Sequence, residues 1–411
     1  MSYSHALETY AEIGVDTEAV LRRMAEIPLS LQCWQGDDVR GFENASTGGG
    51  GILATGSYPG RARNGDELRQ DLAEAGRLIP GPKRVNLHAI YAETDQPVER
   101  TDLAVEHFQR WIDWALGQEW GIDFNPTCFA HPMSNRGFTL SSEDAGIRQF
   151  WIDHCRAARR LAAEIGKILR NPVVNNIWIP DGYKDLPYHR GKPRERLAES
   201  LDAVFAGELS CEWLVDAVES KLFGIGVESY TTGSHEFYYG YAVKNQLCLC
   251  LDSGHFHPTE SVADKISAVL QFVPSILTHV SRGVRWDSDH VVILDDATKA
   301  ILQAIVRDGA LDKTYLGLDF FDASINRIAA WVIGARATQK ALLLALLEPA
   351  AELEKRERSG DFTGRLALME ALPCLPWGEV WAEYCRRQEV PGETNWLSEV
   401  RNYENTVLRH R

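Results

Sequence analysis

Residues 247–252 read LCLCLD, a short apolar run that ends in an acidic residue and is followed by the turn Ser253-Gly254. An apolar run of this length, bounded by turn residues, is typical of a fully buried strand. The pattern recurs, and we count eight such segments: residues 29–34, 84–90, 122–126, 173–179, 213–219, 247–252, 276–280 and 314–319. Several of the stretches between them have helical periodicity. This alternation predicts an α/β protein of the (β/α)8 TIM-barrel class.

The clearest helix lies between the third and fourth segments, where apolar residues from 147 to 169 recur every three or four positions. Ser141 and Asp144 are spaced for a capping box that would begin this helix. Two regions are less clear. Residues 221–246 lack a clean helical period, and the fifth apolar segment could itself form a helix.

The barrel pattern divides the chain into two parts. Residues 1–348 are predicted to form the barrel, with an N-terminal helical lead-in. Pro349 then interrupts the pattern, and residues 349–411 are predicted to form a C-terminal helical extension that is a candidate oligomerisation element. Residues 42–64 form a long Gly-rich loop without the Gly-Lys-Ser/Thr ending of a phosphate-binding P-loop. We interpret this loop as a mobile active-site loop or a subunit contact.

The composition is that of an acidic globular chain. Its 411 residues include 43 Lys+Arg and 58 Asp+Glu, which gives a formal net charge of −15. This charge argues against a nucleic-acid-binding protein, whose affinity depends on neutralising phosphates, and against docking on an anionic membrane. Hydrophobic residues make up 45% of the chain, which is enough for a sizeable core.

Compartment signals favour the cytoplasm. The N-terminal stretch lacks the basic and apolar regions of a secretory signal. The most apolar run, residues 341–347, is far shorter than the ~20 residues of a membrane-spanning helix. None of the 8 cysteines forms a C-x-x-C pair, which disfavours thiolate zinc and redox motifs. Cys248 and Cys250 are interpreted as small core residues, and the whole as a reduced, cytoplasmic protein.

Metal-competent side chains stand at the ends of the last four predicted strands. These residues are Glu219, Asp252, His279 and Asp319. In a (β/α)8 barrel the active site lies at the carboxyl ends of the strands, so the four should meet at one mouth. Burying several carboxylates together without a cation is strongly unfavourable, which favours a metal site. The alternative is an acidic, solvated rim of the barrel.

A second set of possible ligands follows two of these strands. His255 comes three residues after Asp252, and Asp287 and Asp289 alternate in the segment after the seventh strand. The three could hold a second ion beside the first, with Asp252 between the two. A two-metal site polarises adjacent substrate oxygens and stabilises the charge that develops on them. Oxygen-rich ligand sets with one imidazole each suit Mn²⁺, Mg²⁺, Co²⁺ or Zn²⁺.

Three further polar residues accompany the clusters. Lys221 follows Glu219 by two positions, so it points to the same side and can reach a substrate oxygen. By itself Lys221 would be a solvated surface amine, but beside a metal cluster a substrate contact is favoured. His257 and His290 compete as ligands and rank below the others, as residues that support the site or satisfy the core.

Six motifs closely resemble the L-rhamnose isomerase family, over roughly residues 28 to 335. They are VESKLFG, CLDSGHFHPTE, LTHVSRGVRWDSDHVV, YLGLDFFDASINR, QCWQGDDVRGFE and NLHAIYAE. Their Glu-x-Lys, Asp-x-x-His and Asp-x-Asp layout is also similar to the wider xylose isomerase-like barrels. The resemblance implies a cytoplasmic, Mn²⁺-dependent homotetramer that interconverts L-rhamnose and L-rhamnulose, with two divalent sites.

The resemblance also implies a role for each matching residue. The structural metal would be held by Glu219, Asp252, His279 and Asp319, and the catalytic metal by His255, Asp287 and Asp289. Lys221 would contact a substrate oxygen, and His88 would lie near the ring-oxygen end of the sugar. Lys221, His88 and Asp319 are the predicted catalytic residues. Trp178 and Phe129 match an aromatic wall for the apolar face and C6 methyl of the sugar, with Trp34 a weaker match.

The resemblance leaves alternatives of mechanism and substrate. Hydride could pass directly between C1 and C2 with the metals assisting, or a proton could move through an enediol. The sugar could also be L-mannose, L-lyxose or D-allose. Two rivals belong to other classes: a metal-dependent DNA-repair endonuclease on the same kind of barrel, which the charge of −15 disfavours, and a non-catalytic scaffold stabilised by metal, which would need neither Lys221 nor an aromatic pocket.

Overall fold

The computed structural model describes residues 2–43, 54–134, 137–207, 209–222, 229–284, 286–393 and 395–411, with only the backbone of 286–288. Within these ranges, eight parallel strands close into a barrel. The barrel strands are Leu29–Gln32 (β1), Lys83–His88 (β2), Gly121–Asn125 (β3), Val173–Ile177 (β4), Leu214–Glu219 (β6), Cys248–Asp252 (β8), Ile276–Val280 (β9) and Thr314–Leu318 (β12). Each corresponds to one of the predicted segments, so the (β/α)8 prediction is confirmed.

Four further strands form two-stranded antiparallel ribbons beside the barrel mouth. The strands Gly182–Tyr183 (β5) and Tyr230–Thr231 (β7) pair with each other, as do Arg282–Val284 (β10) and Trp286–His290 (β11). The second ribbon follows β9 directly and carries Asp289. Asp289 has a positive φ of 39°, which is uncommon for a residue with a side chain.

The barrel closes where its first and last strands pair. Leu29 of β1 lies opposite Leu316 of β12. Beyond the ends of both strands, Gln35 continues the pairing with its side chain. Its Nε2 donates to the carbonyl of Asp322 at 2.9 Å, and its Oε1 accepts from the backbone N–H of Asp322 at 2.7 Å. A side-chain amide thus satisfies both backbone groups of one residue at the seam.

Helices surround the barrel and extend it at both ends of the sequence. They are Tyr3–Glu12 (α1), Thr17–Met24 (α2), Gly65–Gly76 (α3), Gln109–Gln118 (α4), Ala145–Leu169 (α5), Gly191–Phe205 (α6), His235–Asn245 (α7), Ala263–Val269 (α8), Asp296–Arg307 (α9), Arg327–Leu346 (α10), Ala350–Arg358 (α11), Phe362–Ala371 (α12), Trp377–Arg387 (α13) and Trp396–Thr406 (α14). Among these described helices, none is by itself long and apolar enough to cross a membrane, and one bent pair, α10 with α11, meets that measure by length and composition alone.

One local expectation from the sequence is wrong, and the two less clear patterns form a helix and a strand. Helix α5 begins after Asp144, whose carboxylate accepts from the N–H groups of Gly146 and Ile147, so the proposed capping box is wrong. Ser141 instead donates to the buried carboxylate of Asp181 at 2.6 Å. Within residues 221–246, α7 forms without a helical period in the sequence. The ambiguous fifth segment is strand β6.

The interior of the barrel is unusually polar. Arg84 on β2 forms a buried ion pair with Asp123 on β3 at 2.9 Å, and Asn86 donates to Asn125 at 2.9 Å between the same strands. Polar and apolar side chains together line an internal cavity that is large enough for about one water molecule. His279 and Asn176 are among these lining residues, so the polar interior continues up to the mouth.

The terminal helices pack as two separate groups. Helices α1, α2 and α13 share a small core with the end of α10, which includes Tyr10, Leu343 and Trp381. Helix α14 returns to the barrel, and its Val400 is part of the main core, as is Leu408 just beyond it. By contrast, α11 and α12 contain no buried residue. The division of the chain at residue 348 stays a prediction.

Candidate active site

Four ligand-type side chains converge at the carboxyl ends of the barrel strands. Glu219 ends β6, Asp252 ends β8, His279 lies near the end of β9, and Asp319 follows β12. Each offers one atom, and these atoms all lie within 4.8 Å of one another. His279 Nδ1 is 3.3 Å from Glu219 Oε2 and 3.2 Å from Asp319 Oδ2. We call these four residues the first metal group.

The first metal group has the properties of a cation site rather than of a solvated rim. Its side chains are buried, from fully enclosed at Asp252 to 9% exposed at Asp319. Asp252 Oδ2, His279 Nδ1 and Asp319 Oδ1 are buried and have no hydrogen-bond partner among the described residues. Buried polar atoms of this kind are costly unless something binds them. A divalent cation fits this set of converging oxygen and imidazole ligands.

The pKa values in the first metal group reflect the crowding of charge. Burial raises the pKa of Asp252 to about 7 and that of Asp319 to about 6. Burial would likewise raise the pKa of Glu219, but the charges of His279 and His255 outweigh it and hold that pKa well below its usual range. Burial lowers the pKa of His279, but Cys250, Glu219 and Asp319 together raise it well above its usual value.

A second metal group lies next to the first and shares Asp252 with it. Ligand atoms of Asp252, His255 and Asp289 also lie within 4.8 Å of one another. His255 Nδ1 is 2.8 Å from the carbonyl oxygen of Ser220 and 3.1 Å from Glu219 Oε1, so Nε2 is the ring atom that would bind a cation. Nε2 is 4.0 Å from Asp252 Oδ2. The structure thus brings His255 and Asp289 together, as the sequence predicts.

The remaining ligand candidates have different outcomes. Asp287 lies outside the described side chains, as do residues 44–53 of the Gly-rich loop. His257 is exposed, and its Nδ1 is 2.7 Å from the hydroxyl of Thr259. Among the described residues, neither His257 nor His290 belongs to a group with metal-ligand spacing, in agreement with their lower rank.

Lys221 and two aromatic residues form one side of the mouth. The Lys221 side chain is buried, with Nζ at 3.1 Å from His255 Nε2 and 5.3 Å from the centre of the Trp178 ring. Phe129 stands edge-on to Trp178, with their ring centres 5.8 Å apart. Trp178 is therefore adjacent to both Lys221 and Phe129, and Lys221 borders the second metal group. The role of the two rings as a wall for the sugar stays a prediction.

His88 ends strand β2, and its ring is fully enclosed. It stacks on Trp34 with a distance of 4.3 Å between the ring centres. Neither ring nitrogen of His88 has a hydrogen-bond partner among the described residues. Burial lowers the pKa of His88 to about 3, so the ring is neutral near pH 7. A neutral imidazole with both nitrogens open can accept a proton at one atom and donate one at the other.

Three residues of the site were not predicted from the sequence. Asn176 at the end of β4 donates to Glu219 Oε2, and Ser281 donates to Asp252 Oδ1 at 3.0 Å. Cys250, interpreted as a core residue, is buried as expected, but its sulfur also lies within 4.8 Å of ligand atoms of Glu219 and His279. The only available signal was position, because each stands at or near the end of a barrel strand.

The chain is similar in sequence to one known family over its whole length. Residues 1–411 match the family described as L-rhamnose isomerase (RhaA). L-rhamnose isomerases of Escherichia coli O127:H6 (strain E2348/69 / EPEC) and Escherichia coli (strain K12) are each 58% identical over 407 residues, which cover 99% of this chain and 97% of the relative.

Solved structures with a similar fold are far more distant in sequence. An L-ribulose 3-epimerase has a TM-score of 0.45 and 12% identity, covering 82% of this chain and 97% of its own. A 3-keto-D-glucoside 4-epimerase from E. coli has a TM-score of 0.44 and 12% identity, covering 70% of this chain and 96% of its own. The assignment therefore depends on the family match and on the close relatives. The chain belongs to the L-rhamnose isomerase family.

Proposed function

We propose that the chain interconverts L-rhamnose and L-rhamnulose, in L-rhamnose catabolism, by a hydride shift between C1 and C2 that two divalent cations assist. Membership of the family makes the chain an aldose–ketose isomerase and excludes the DNA-repair endonuclease. The observation that carries the metal-assisted mechanism is the pair of buried acid–histidine groups that share Asp252.

The two groups would each hold one cation. The first metal group would hold one ion, and His255 and Asp289, with Asp287 as the predicted third ligand, would hold the other. Bound there, the cations would act as Lewis acids on the oxygen atoms of the sugar. Oxygen-rich sites with one imidazole suit Mn²⁺, which we propose as the resident ion, and also Zn²⁺, Co²⁺ or Mg²⁺.

The side chains at the mouth supply the remaining functions. Lys221 places a buried ammonium beside the second metal group, where it stabilises negative charge on a substrate oxygen. His88 assists opening of the sugar ring, in which the C1–O5 bond breaks as the proton of the O1 hydroxyl is transferred to O5. Trp34 stacks on the imidazole and fixes its plane. Asp319 has the most exposed side chain of the first metal group, and we assign it a contact to a sugar hydroxyl.

The wall of Trp178 and Phe129 positions the apolar part of the sugar. Both rings are buried, and their edge-to-face contact fixes one ring against the other. A wall of this kind excludes water from the carbons between which hydrogen moves. Exclusion of water favours direct transfer over exchange with solvent.

Isotope retention tests the hydride shift. L-Rhamnose carrying deuterium at C2 should give L-rhamnulose that keeps the deuterium at C1. An enediol route would lose the label to solvent, so extensive washout would contradict the hydride proposal. Mass spectrometry of the product at low conversion measures the retained fraction before the reverse reaction blurs it.

Metal exchange tests the rest of the proposal. Protein stripped with EDTA should form no L-rhamnulose, and Mn²⁺ should restore activity. The variant Asp287→Asn should bind less metal and turn over more slowly, while its circular dichroism spectrum stays unchanged. Full activity with unchanged metal content in that variant would remove Asp287 from the site. Kinetics with L-mannose, L-lyxose and D-allose then rank the related sugars, which differ by contacts worth about 1–3 kcal/mol.

We further propose a cytoplasmic homotetramer. Helices α11 and α12 of the C-terminal extension carry no buried residue, and Phe362 and Leu366 are each 58% exposed. Exposed apolar side chains on neighbouring turns of one helix favour a protein–protein contact. Sedimentation equilibrium should give four chains per particle, and the double variant Phe362→Ser, Leu366→Ser should shift it toward smaller species.

A further inference from the structure

Arg100 is a buried arginine near the mouth whose hydrogen bonds are all made within the protein. Its side chain is 2% exposed. Nε and Nη2 donate to the two carboxylate oxygens of Glu43 at 2.9 and 2.8 Å. Nη1 donates to the carbonyls of Thr127 and Phe129, and Nη2 donates also to the carbonyl of Ala130 at 3.1 Å. All five N–H groups of the guanidinium are therefore used.

Three of these bonds fix the backbone that carries Phe129. The bond to the Phe129 carbonyl is 2.7 Å long. The carbonyls of Thr127 and Ala130, in the same loop, accept the other two bonds. The loop is also held from helix α5, because the N–H of Thr127 donates to His154 Nε2 at 3.2 Å, and His154 Nδ1 is 2.9 Å from the carbonyl of Arg100. Ala130 has a φ of +50°, a conformation that such surrounding bonds can maintain.

The other two bonds reach a different loop of the mouth. Glu43 follows strand β1, and its neighbour Phe42 is held by an N–H bond of 2.7 Å to the carbonyl of Ile90. Arg100 therefore joins the loop after β3 to the loop after β1. A bidentate arginine–carboxylate pair fixes both distance and orientation, which a lysine could not do.

We propose that Arg100 is a positioning residue that determines sugar specificity by fixing Phe129 against Trp178. This inference rests on the proposed role of Phe129 in the substrate wall. The aromatic edge-to-face contact alone would leave the loop free to shift along the Trp178 ring. With three carbonyls held by one buried guanidinium, the Phe129 ring keeps a single position, so the wall can distinguish a sugar that has an apolar C6 from one that lacks it.

The test compares L-rhamnose with L-lyxose, a pentose without C6. In Arg100→Lys, kcat/KM for L-rhamnose should fall about tenfold, the value of one well-packed methyl contact. The inhibition constant of L-lyxose, measured as a competitor of L-rhamnose, should stay within about twofold of the parent value, because L-lyxose makes no C6 contact. This constant can be measured whether or not L-lyxose is itself converted. A matched control is Arg159→Lys, a second buried arginine with a bidentate carboxylate partner, Asp216 at 2.9 and 2.7 Å, which should leave both constants unchanged.

Two more variants separate the possible failures. Glu43→Gln removes the charge of the partner and keeps its shape. It should therefore lower kcat/KM for L-rhamnose relative to the affinity for L-lyxose, even if Arg100→Lys does not fold. We call this relation between the two sugars the ratio. Phe129→Ala should reproduce the loss of discrimination. If Phe129→Ala leaves the ratio unchanged, the substrate wall is wrong and the inference falls with it. If Phe129→Ala changes the ratio but neither Arg100→Lys nor Glu43→Gln does, or these two weaken both sugars equally, only the role of Arg100 is overturned.

Discussion

Asp252 has two roles in the site, because one of its carboxylate oxygens accepts hydrogen bonds and the other faces the metal groups. Oδ1 accepts from the N–H of Gly254 at 2.6 Å and from the hydroxyl of Ser281 at 3.0 Å, while Oδ2 faces both metal groups. Gly254 permits this approach, since a Cβ there would stand 2.7 Å from the Ser281 hydroxyl. The carboxylate is thus oriented before any cation arrives.

We expect Asp252→Asn to lose metal at both groups, because asparagine brings no negative charge to either. Loss of residues that only support ligands costs 10–100-fold in metal affinity or activity, so loss of a shared ligand should cost at least about 100-fold. Metal content after dialysis, measured by inductively coupled plasma mass spectrometry, checks this. The exposed Asp95→Asn is the control and should keep its metal. A fully loaded Asp252→Asn protein would contradict the shared-ligand assignment.

Metal binding should depend on pH through the same carboxyl groups. Burial raises the pKa of Asp252 to about 7 and that of Asp319 to about 6, so both hold protons in the metal-free protein at lower pH. A cation must displace these protons. Affinity should therefore weaken as pH falls below about 7, and more protons should be released on binding at pH 6 than at pH 8. Calorimetry in buffers of different ionisation enthalpy counts the protons, and equal release at both pH values would be inconsistent with the raised pKa values.

The ligands were predictable from the sequence, but their supporting residues were not. Glu219, Asp252, His279 and Asp319 each end an apolar run, and the barrel brings such ends together. Asn176 lies one residue before the end of β4, but an asparagine there has many other uses, and only the structure shows its bond to Glu219. The proposed role of the aromatic wall comes from the family motifs and not from periodicity.

At the scale of elements, one carboxylate connects four neighbouring strands at the base of the barrel. Asp123 on β3 accepts from Arg84 on β2, from the hydroxyl of Ser30 on β1 at 2.7 Å and from the N–H of Val174 on β4 at 3.1 Å. Arg84 also donates to the carbonyls of Ile122 and Pro172. The polar base of the barrel is therefore a network in which each member satisfies several others.

We expect Arg84→Met to destabilise the fold by about 3–5 kcal/mol, because it leaves the Asp123 charge buried without its cation. Urea denaturation followed by circular dichroism measures this change. Arg358→Met is the matched control, since the side chains of Arg358 and its partner Glu354 are 73% and 66% exposed. Its loss should cost less than about 1 kcal/mol. If the two variants had equal stability, the buried pair would not be a structural support.

Strands were easier to predict than helices in this chain. The barrel strands are largely buried, and some, such as β8, appear in the sequence as short apolar runs. Helix α7 is different, because its sequence His235–Asn245 has aromatic residues around most of its circumference, and only Tyr238, Tyr241 and Ala242 are buried. The capping box failed for another reason: the tertiary partner of Ser141 is Asp181, which lies 40 residues away.

At the scale of the whole molecule, residues 403–411 are tied to helix α3, one of the helices that surround the barrel. Arg411 donates to both oxygens of Asp71 on α3, at 2.6 and 2.7 Å, and Tyr403 of α14 donates to the same carboxylate at 2.8 Å. Asp71 is 1% exposed. Burial raises the pKa of Asp71 above its usual value even with Arg411 in place.

We expect Arg411→Ala to destabilise the protein by about 3–5 kcal/mol at pH 8, since it leaves a buried carboxylate unpaired. The pKa of Asp71 in the folded state then rises further above the unfolded value, so stability is lost as pH rises through the folded pKa. The deficit should therefore be smaller at pH 5 than at pH 8. Thermal unfolding at the two pH values measures it. Arg409→Ala, at an exposed position, should stay within about 0.5 kcal/mol of the parent at both.

The seam between β1 and β12 sets the order in which this barrel can form. Leu29 and Leu316 pair across 287 positions of sequence, so the edge of the first strand stays without its neighbour until almost the whole barrel has been synthesised. Contacts between such distant positions slow folding, and an open strand edge invites association with other chains. A nascent chain that ends before β12 therefore carries an exposed edge. The edge of β1 is protected from association with other chains only by one late event, in which β12 pairs with it and Gln35 bonds Asp322.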